Sequence, residues 1–310
     1  MKYFPWQPLK EGDIVDVIAP GSATDRASLE RVKKFLASWG LKARVPKDIL
    51  KPYMFHASPD EIRQTHLLNA LRAKDSKAVW CLRGGYGSIR LLPELSRINK
   101  VKPKLFIGLS DISSLHLLMN DEWNWATVHG PVLDRAARGD LSPSQIKELR
   151  GLVFGQQKQI QFKNIKAVNE SAKKVRRLKA PIIGGNMVTL QSTFGTKFQP
   201  SLRNRLIFLE EIGERAYRID RILEHLRQIP DFKFSSGVLF GTFTDCKEPD
   251  GKNLIPATIK RFAAGTTVPV FTGIVAGHDP KQRCLPFMTP ATILRKQSNF
   301  EITVDAGFSL

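Results

Sequence analysis

Few residues in this chain are placed to do chemistry, and the most telling are Ser110 and Asp111 in KLFIGLSDISSLHLLM, residues 104–119. The apolar run Leu105-Phe106-Ile107 predicts a buried strand that stops at Gly108. Beyond Ser110, the apolar residues Ile112, Leu115, Leu118 and Met119 recur at helical spacing. A serine on such a strand-to-helix turn holds its hydroxyl out of the sheet. The unpaired amides of the first helical turn point to the same place and can meet a developing oxyanion. That is the geometry of a nucleophile elbow, although Ile112 stands where the hydrolase pattern G-x-S-x-G has its second glycine. The same two residues would equally suit a helix cap.

An activated serine needs a base, and the base needs an orienting acid. His56, His66 and His225 lie in polar or helical contexts and read as surface residues. His116 falls one and a half turns after Ser110 and is expected to point away from the turn. His129 ends a short strand before Gly130-Pro131 and could line a pocket; His278 follows Gly277 on a loop free to face a cleft. Spacing alone does not choose among them. Glu210 and Glu211 end the apolar strand Leu206–Leu209, and neighbours on a strand face opposite ways, so at most one should meet a partner.

Two glycine pairs complete the candidates. In Arg83-Gly84-Gly85-Tyr86-Gly87 the glycines permit close backbone approach, and their amides can donate to an oxyanion. The dinucleotide fingerprint G-x-G-x-x-G is absent there. Gly184-Gly185-Asn186 opens a predicted helix and could hold a substrate carboxylate or amide. Tight turns would call for the same glycines.

The elements that must position these residues alternate through the first half. Strands are expected at 14–19, 41–45, 78–82 and 105–107, and helices at about 25–39 and 59–74, the latter with Ser58 as cap and Pro59 in its first turn. Strands separated by helices imply an open parallel sheet with its ligand at the strands' carboxyl ends. Loops 20–24, 83–88 and 108–111 all follow a strand and share that edge. A helix is expected at 143–153, but residues 140–180 are otherwise polar and read as a connection. Short strands with glycine turns (206–209, 237–241, 268–271) and a helix near 217–228 suggest a second, smaller α+β or barrel-like domain. The division is residues 1–150, a linker at 151–180, and 181–310.

A length of 310 residues with 42% apolar content suits two domains. No run approaches the roughly 18 apolar residues of a membrane span, and the N-terminal segment has no apolar core of a signal peptide. Three scattered cysteines fit neither a disulfide framework nor a zinc site, so a cytoplasmic protein with reduced thiols and no bound metal is expected. The net charge of +19 is spread over both halves, and its densest run, 173–179, lacks interleaved aromatics. That pattern reads as a solvated basic surface rather than a nucleic-acid reader.

Seven short motifs in order give the chain a resemblance to the LD-carboxypeptidases, serine peptidases of peptidoglycan recycling whose relatives include the microcin C self-immunity hydrolases. They are Ile18–Ser22, Cys81–Ser88, Gly108–Asp111, Val128–Pro131, Gly184–Asn186, Phe208–Glu211 through Tyr217–Arg221, and Gly277-His278. The resemblance implies a Rossmann-like N-terminal domain carrying the serine and a C-terminal domain carrying the acid and the histidine. Ser110 would be the nucleophile, Glu210 the orienting acid and His278 the base. Backbone amides of Asp111 and of Gly84 or Gly85 would form the oxyanion hole, with Asn186 and Arg83 meeting substrate. Glu211 departs from the usual Leu-Glu-Asp. The implied reaction releases terminal D-alanine from muropeptide tetrapeptide through an acyl-enzyme in a cytoplasmic homodimer, with no cofactor. Hydrolysis of a peptidyl-nucleotide antibiotic, or silent binding of a muropeptide, are the alternatives.

Overall fold

In the computed structural model, which describes residues 3–98 and 101–309, the strands are β1 Ile14–Ile18, β2 Lys42–Arg44, β3 Ser76–Cys81, β4 Leu105–Gly108, β5 Thr127–His129, β6 Gln159–Ala167 and β7 Arg177–Asn186. They continue with β8 Leu206–Ile212, β9 Gly237–Thr244, β10 Val270–Thr272, β11 Leu285–Phe287, β12 Pro290–Lys296 and β13 Asn299–Asp305. The first sheet has the order β11-β5-β4-β3-β1-β2, and β1 to β5 are parallel. Its strands are apolar on both sides because helices cover both faces. Ala78, Trp80, Leu105 and Ile107 pack with Leu29, Val32 and Leu36 of helix Arg26–Ser38. Val79, Cys81 and Phe106 turn the other way, onto Leu67, Ala70 and Leu71 of helix Asp60–Arg72.

The second half closes into a seven-stranded barrel, β10-β6-β13-β12-β7-β8-β9. Strands β7 to β10 run parallel, and β6, β13 and β12 complete the ring antiparallel. Helix Ala216–Gln228 crosses from β8 to β9 and buries Ile219, Ile222, Leu223 and Leu226 on one stripe. The units share more than a linker: β11, from the second half, pairs antiparallel with β5 at the edge of the first sheet.

The polar stretch 151–180 is not a passive connection. It contains β6, whose Ile160, Phe162 and Ile165 point into the core while Gln159, Gln161 and Lys163 face solvent. A strand wet on one face has a polar average composition, and that average conceals its period of two. Two histidines read as surface are buried: His66, bonded through Nε2 to Asp48 at 2.8 Å, and His56. His225 is exposed, as expected. Ser58 does not cap its helix; its hydroxyl donates to Ala57 O, and Pro59 takes the cap position. Among the described residues no helix is long and apolar enough to cross a membrane.

One ionic cluster at the first sheet has Asp16 and Lys104 buried and Arg44 partly exposed. Asp16 accepts from Arg44 Nε and from Ser76 Oγ, both at 2.5 Å, and the Lys104 ammonium donates to Ser76 Oγ and Ala70 O at 2.6 Å. Burial pushes the Lys104 amine down to about 8. Between pH 8 and 10.5 the unfolded chain therefore binds more protons than the folded one, so stability rises with pH. Urea unfolding should show a gain of about 2 kcal/mol from pH 8 to 10. In Lys104→Met that gain should be absent.

Candidate active site

The Ser110 turn takes a shape that side chains resist. Leu109 is extended, Ser110 sits at φ 68°, and helix Ser113–Asp121 follows a 3₁₀ turn over Ser110–Ile112. A non-glycine residue in this left-handed region costs about 1–2 kcal/mol. Packing holds it there. A Cβ on Gly84 would lie 2.9 Å from Ser110 Cβ and 3.3 Å from its Oγ, so the glycine lets the 83–88 loop lie against the serine. Asp111 is buried; its carboxylate accepts from the Ser88 amide at 2.8 Å and the Ser88 hydroxyl at 2.5 Å, while burial raises its pKa. Ile112 fits because a Cβ on Gly108 would stand 2.6 Å from its Cγ2. The glycine missing at 112 is thus offset by the one at 108.

His116 does not point away as expected. Its Nε2 donates to Gly108 O and its Nδ1 meets Thr127 Oγ1, both at 2.9 Å, locking the helix to the end of β4. Burial pushes it down to about 4, so it stays neutral. Three loops meet beside the serine, as the alternation implied. Ser22 N donates to Gly84 O at 2.9 Å. Arg63, fully buried and not signalled by any motif, donates to Ser58 O and Gly87 O at 2.9 Å each, and also to Pro20 O and the Asp60 carboxylate.

Across the junction, Glu210 Oε2 and His278 Nδ1 are 2.7 Å apart, with Glu210 wholly buried at the end of β8. Gly277 makes this approach possible: it sits at φ 123°, and a Cβ there would fall 2.8 Å from Glu210 Oε2 and 2.5 Å from Thr242 Oγ1. Arg135, from the first domain, donates to the carbonyls of His278 at 2.8 Å and Asp279 at 3.0 Å, fixing the loop from the other side. The acid thus holds Nδ1, and among the described residues Nε2 has no hydrogen-bond partner. Among the described residues no hydrogen bond joins Ser110 Oγ to His278.

Glu211 turns to the opposite face, as strand geometry requires. It accepts from Asn186 Nδ2 at 2.6 Å, Ile212 N at 2.9 Å and Val188 N at 3.0 Å; burial raises it to about 7. Asn186 Oδ1 caps helix Met187–Gln191 through Thr189 N, and Asn186 N donates to Ser113 Oγ at 3.0 Å. Asn186 also lies in register with Glu210, so Ser113 ties the serine turn to the strand beside the acid. His129 is buried on Phe208, Phe287 and His116, with neither ring nitrogen bonded. It fills the junction rather than lining a pocket. Arg83 is exposed and makes no ion pair among the described residues, its Nη1 3.4 Å from Ala23 O. Among the described residues no group of three His, Cys, Asp or Glu could hold a metal ion.

The chain belongs to the LD-carboxypeptidase family: the family's N-terminal domain matches residues 15–130 and its C-terminal domain residues 179–293. It is 32% identical to a putative carboxypeptidase of Rickettsia prowazekii, covering 94% of this chain and 90% of that one. It is 30% identical to the murein tetrapeptide carboxypeptidase of Pseudomonas aeruginosa, covering 93% and 94%. The fold matches the crystal structure of a muramoyltetrapeptide carboxypeptidase from Oxalobacter formigenes, with TM-score 0.81, 24% identity and coverage of 96% and 100%. It also matches the self-immunity protein MccF in complex with glutamyl sulfamoyl guanosine, with TM-score 0.83, 17% identity and coverage of 99% and 100%.

Arg63→Met should lower stability by about 3 kcal/mol, because it strands buried carbonyls of three loops. Urea unfolding of the purified variant measures this.

Proposed function

We propose that the protein is a serine LD-carboxypeptidase that releases the terminal D-alanine of muropeptide tetrapeptides. The observation that carries the reading is the buried Glu210–His278 hydrogen bond, facing a domain whose Ser110 is held on a left-handed turn. In the reaction, His278 Nε2 takes the Ser110 proton as Oγ attacks the carbonyl of the diamino acid. Glu210 keeps the proton of Nδ1 in place and stabilises the imidazolium. The amide of Asp111, in the first turn after the serine, and that of Gly84 or Gly85 receive the oxyanion. The imidazolium then protonates the leaving D-alanine nitrogen, and water, deprotonated by His278, frees the acyl group from Ser110.

Substrate contacts follow from the groups left unused. Arg83 has no competing ion pair among the described residues, and its planar fork suits the terminal carboxylate. Asn186 gives one amide hydrogen to Glu211 and keeps a second for a substrate carbonyl. The names of the murein tetrapeptide relatives support the substrate class. The same reading makes the enzyme a cytoplasmic homodimer acting on recycled wall fragments.

Release of D-alanine from tetrapeptide, followed by chromatography, tests this directly. Ser110→Ala and His278→Ala should each lose about 10⁴-fold or more in kcat, and Glu210→Gln somewhat less. EDTA should leave turnover unchanged. Full turnover by Ser110→Ala would refute the serine mechanism. Turnover of a peptidyl-nucleotide amide but not of tetrapeptide would favour the antibiotic-degrading alternative.

A further inference from the structure

On the edge of the first sheet opposite the serine turn, a cavity of about 660 Å³ opens where β3 and β4 begin. Five cations line it: Arg72, at the end of helix Asp60–Arg72, with Lys74, Lys77, Lys102 and Lys104. No Asp or Glu lines it among the described residues. Asp75, the acid between two of these lysines, is spent on Arg44, which donates to both of its oxygens at 2.9 Å. Among the described residues Arg72, Lys74, Lys77 and Lys102 make no ion pair, whereas Lys33 and Arg97 each meet a glutamate three residues before them. Lys104 forms the buried wall. Its ammonium gives two of three hydrogens to Ser76 Oγ and Ala70 O, and Asp16 Oδ2 stands at 3.8 Å, beyond hydrogen-bond reach. Leu71, Val101 and Pro103 supply apolar surface beside the charges. Like charges gathered on low-dielectric walls repel one another and raise the local concentration of anions.

We propose that this cavity binds a multivalent phosphate-bearing anion, at a site separate from the hydrolytic centre. Its volume lies within the range of small-ligand sites, about 300–1,000 Å³. A single carboxylate would leave most of the cations unanswered, whereas a chain of phosphates offers several negative charges in a small volume. The donor set suits that ligand, because an arginine fork can hold a phosphate through two parallel bonds while lysines act as point charges. Lys104 keeps its third hydrogen for the ligand, and the anion's charge offsets the repulsion among the other cations. The site is independent of the acyl chemistry. The four residues of β4, about 13 Å of extended chain, separate Lys104 from the serine turn. It also gives part of the +19 net charge a local use, which the hydrolytic reading does not supply.

Calorimetric titration of the full chain with sodium tripolyphosphate, at fixed pH and ionic strength, tests the site. One ion should bind per chain, saturably. In Lys77→Gln/Lys102→Gln the affinity should fall about tenfold or more, since two contacts to a charged ligand are lost. Lys163→Gln/Lys179→Gln removes the same charge from exposed positions on the barrel and should change the affinity less than about twofold. All four lysines are exposed, so both double variants should fold, which thermal unfolding checks. Adenosine triphosphate as a second ligand separates the sources of the phosphate. Tighter binding than tripolyphosphate assigns the apolar wall to an organic group, and equal or weaker binding assigns the site to the phosphate chain alone. Three results would overturn the proposal: no saturable binding at millimolar tripolyphosphate, several weakly held ions per chain, or equal losses in the two double variants.

Discussion

A side chain at φ 68° does not stay there unless its surroundings leave it no alternative, and Ser110 is in that position. Around it, substitution space is nearly closed. Gly84 and Gly108 are pressed against the turn so tightly that a methyl group on either would collide. The Asp111–Ser88 bonds tie the turn to the 83–88 loop, and Arg63 ties that loop to residues 20 and 58. The cost of one strained residue is spread over three loops at the carboxyl edge of a parallel sheet. That is where an α/β sheet leaves room for a ligand.

The second constraint lies between the two units. The Glu–His pair belongs to the barrel, yet Arg135 of the first domain grips the carbonyls on which His278 hangs. Ser113, just past the serine, receives the amide of Asn186 on the strand beside Glu210. With β11 crossing to the first sheet, the junction is a packed interior. Geometry across it is therefore set by the same forces that hold a core, which a reacting constellation drawn from two domains needs.

Much of this was legible in the chain. Alternation of apolar runs and helical stripes marked the parallel sheet, and the glycines next to Arg83, Asn186 and His278 marked close approaches that the structure contains. The two acids of β8 separate to opposite faces as the period of two demands. Other features left no local trace. Strand β6 hid in a Gln- and Lys-rich segment because half of its residues face water. Nothing adjacent to His56 or His66 in sequence marks the tertiary packing that covers them. Arg63 and Arg135 act on carbonyls distant in sequence, and such bonds have no spacing to read. The strand β11 is three residues long, too short for any periodicity to show its pairing with β5.

The central claim is that Ser110 carries the acyl group during turnover. Rapid-quench mass spectrometry with peptide mapping, on wild-type protein mixed with tetrapeptide, measures it most directly. The account predicts a transient adduct with the mass of the acyl portion lacking D-alanine, confined to Ser110 and lost in His278→Ala. Steady release of D-alanine with the acyl group on another residue, or undiminished turnover by Ser110→Ala, would contradict it.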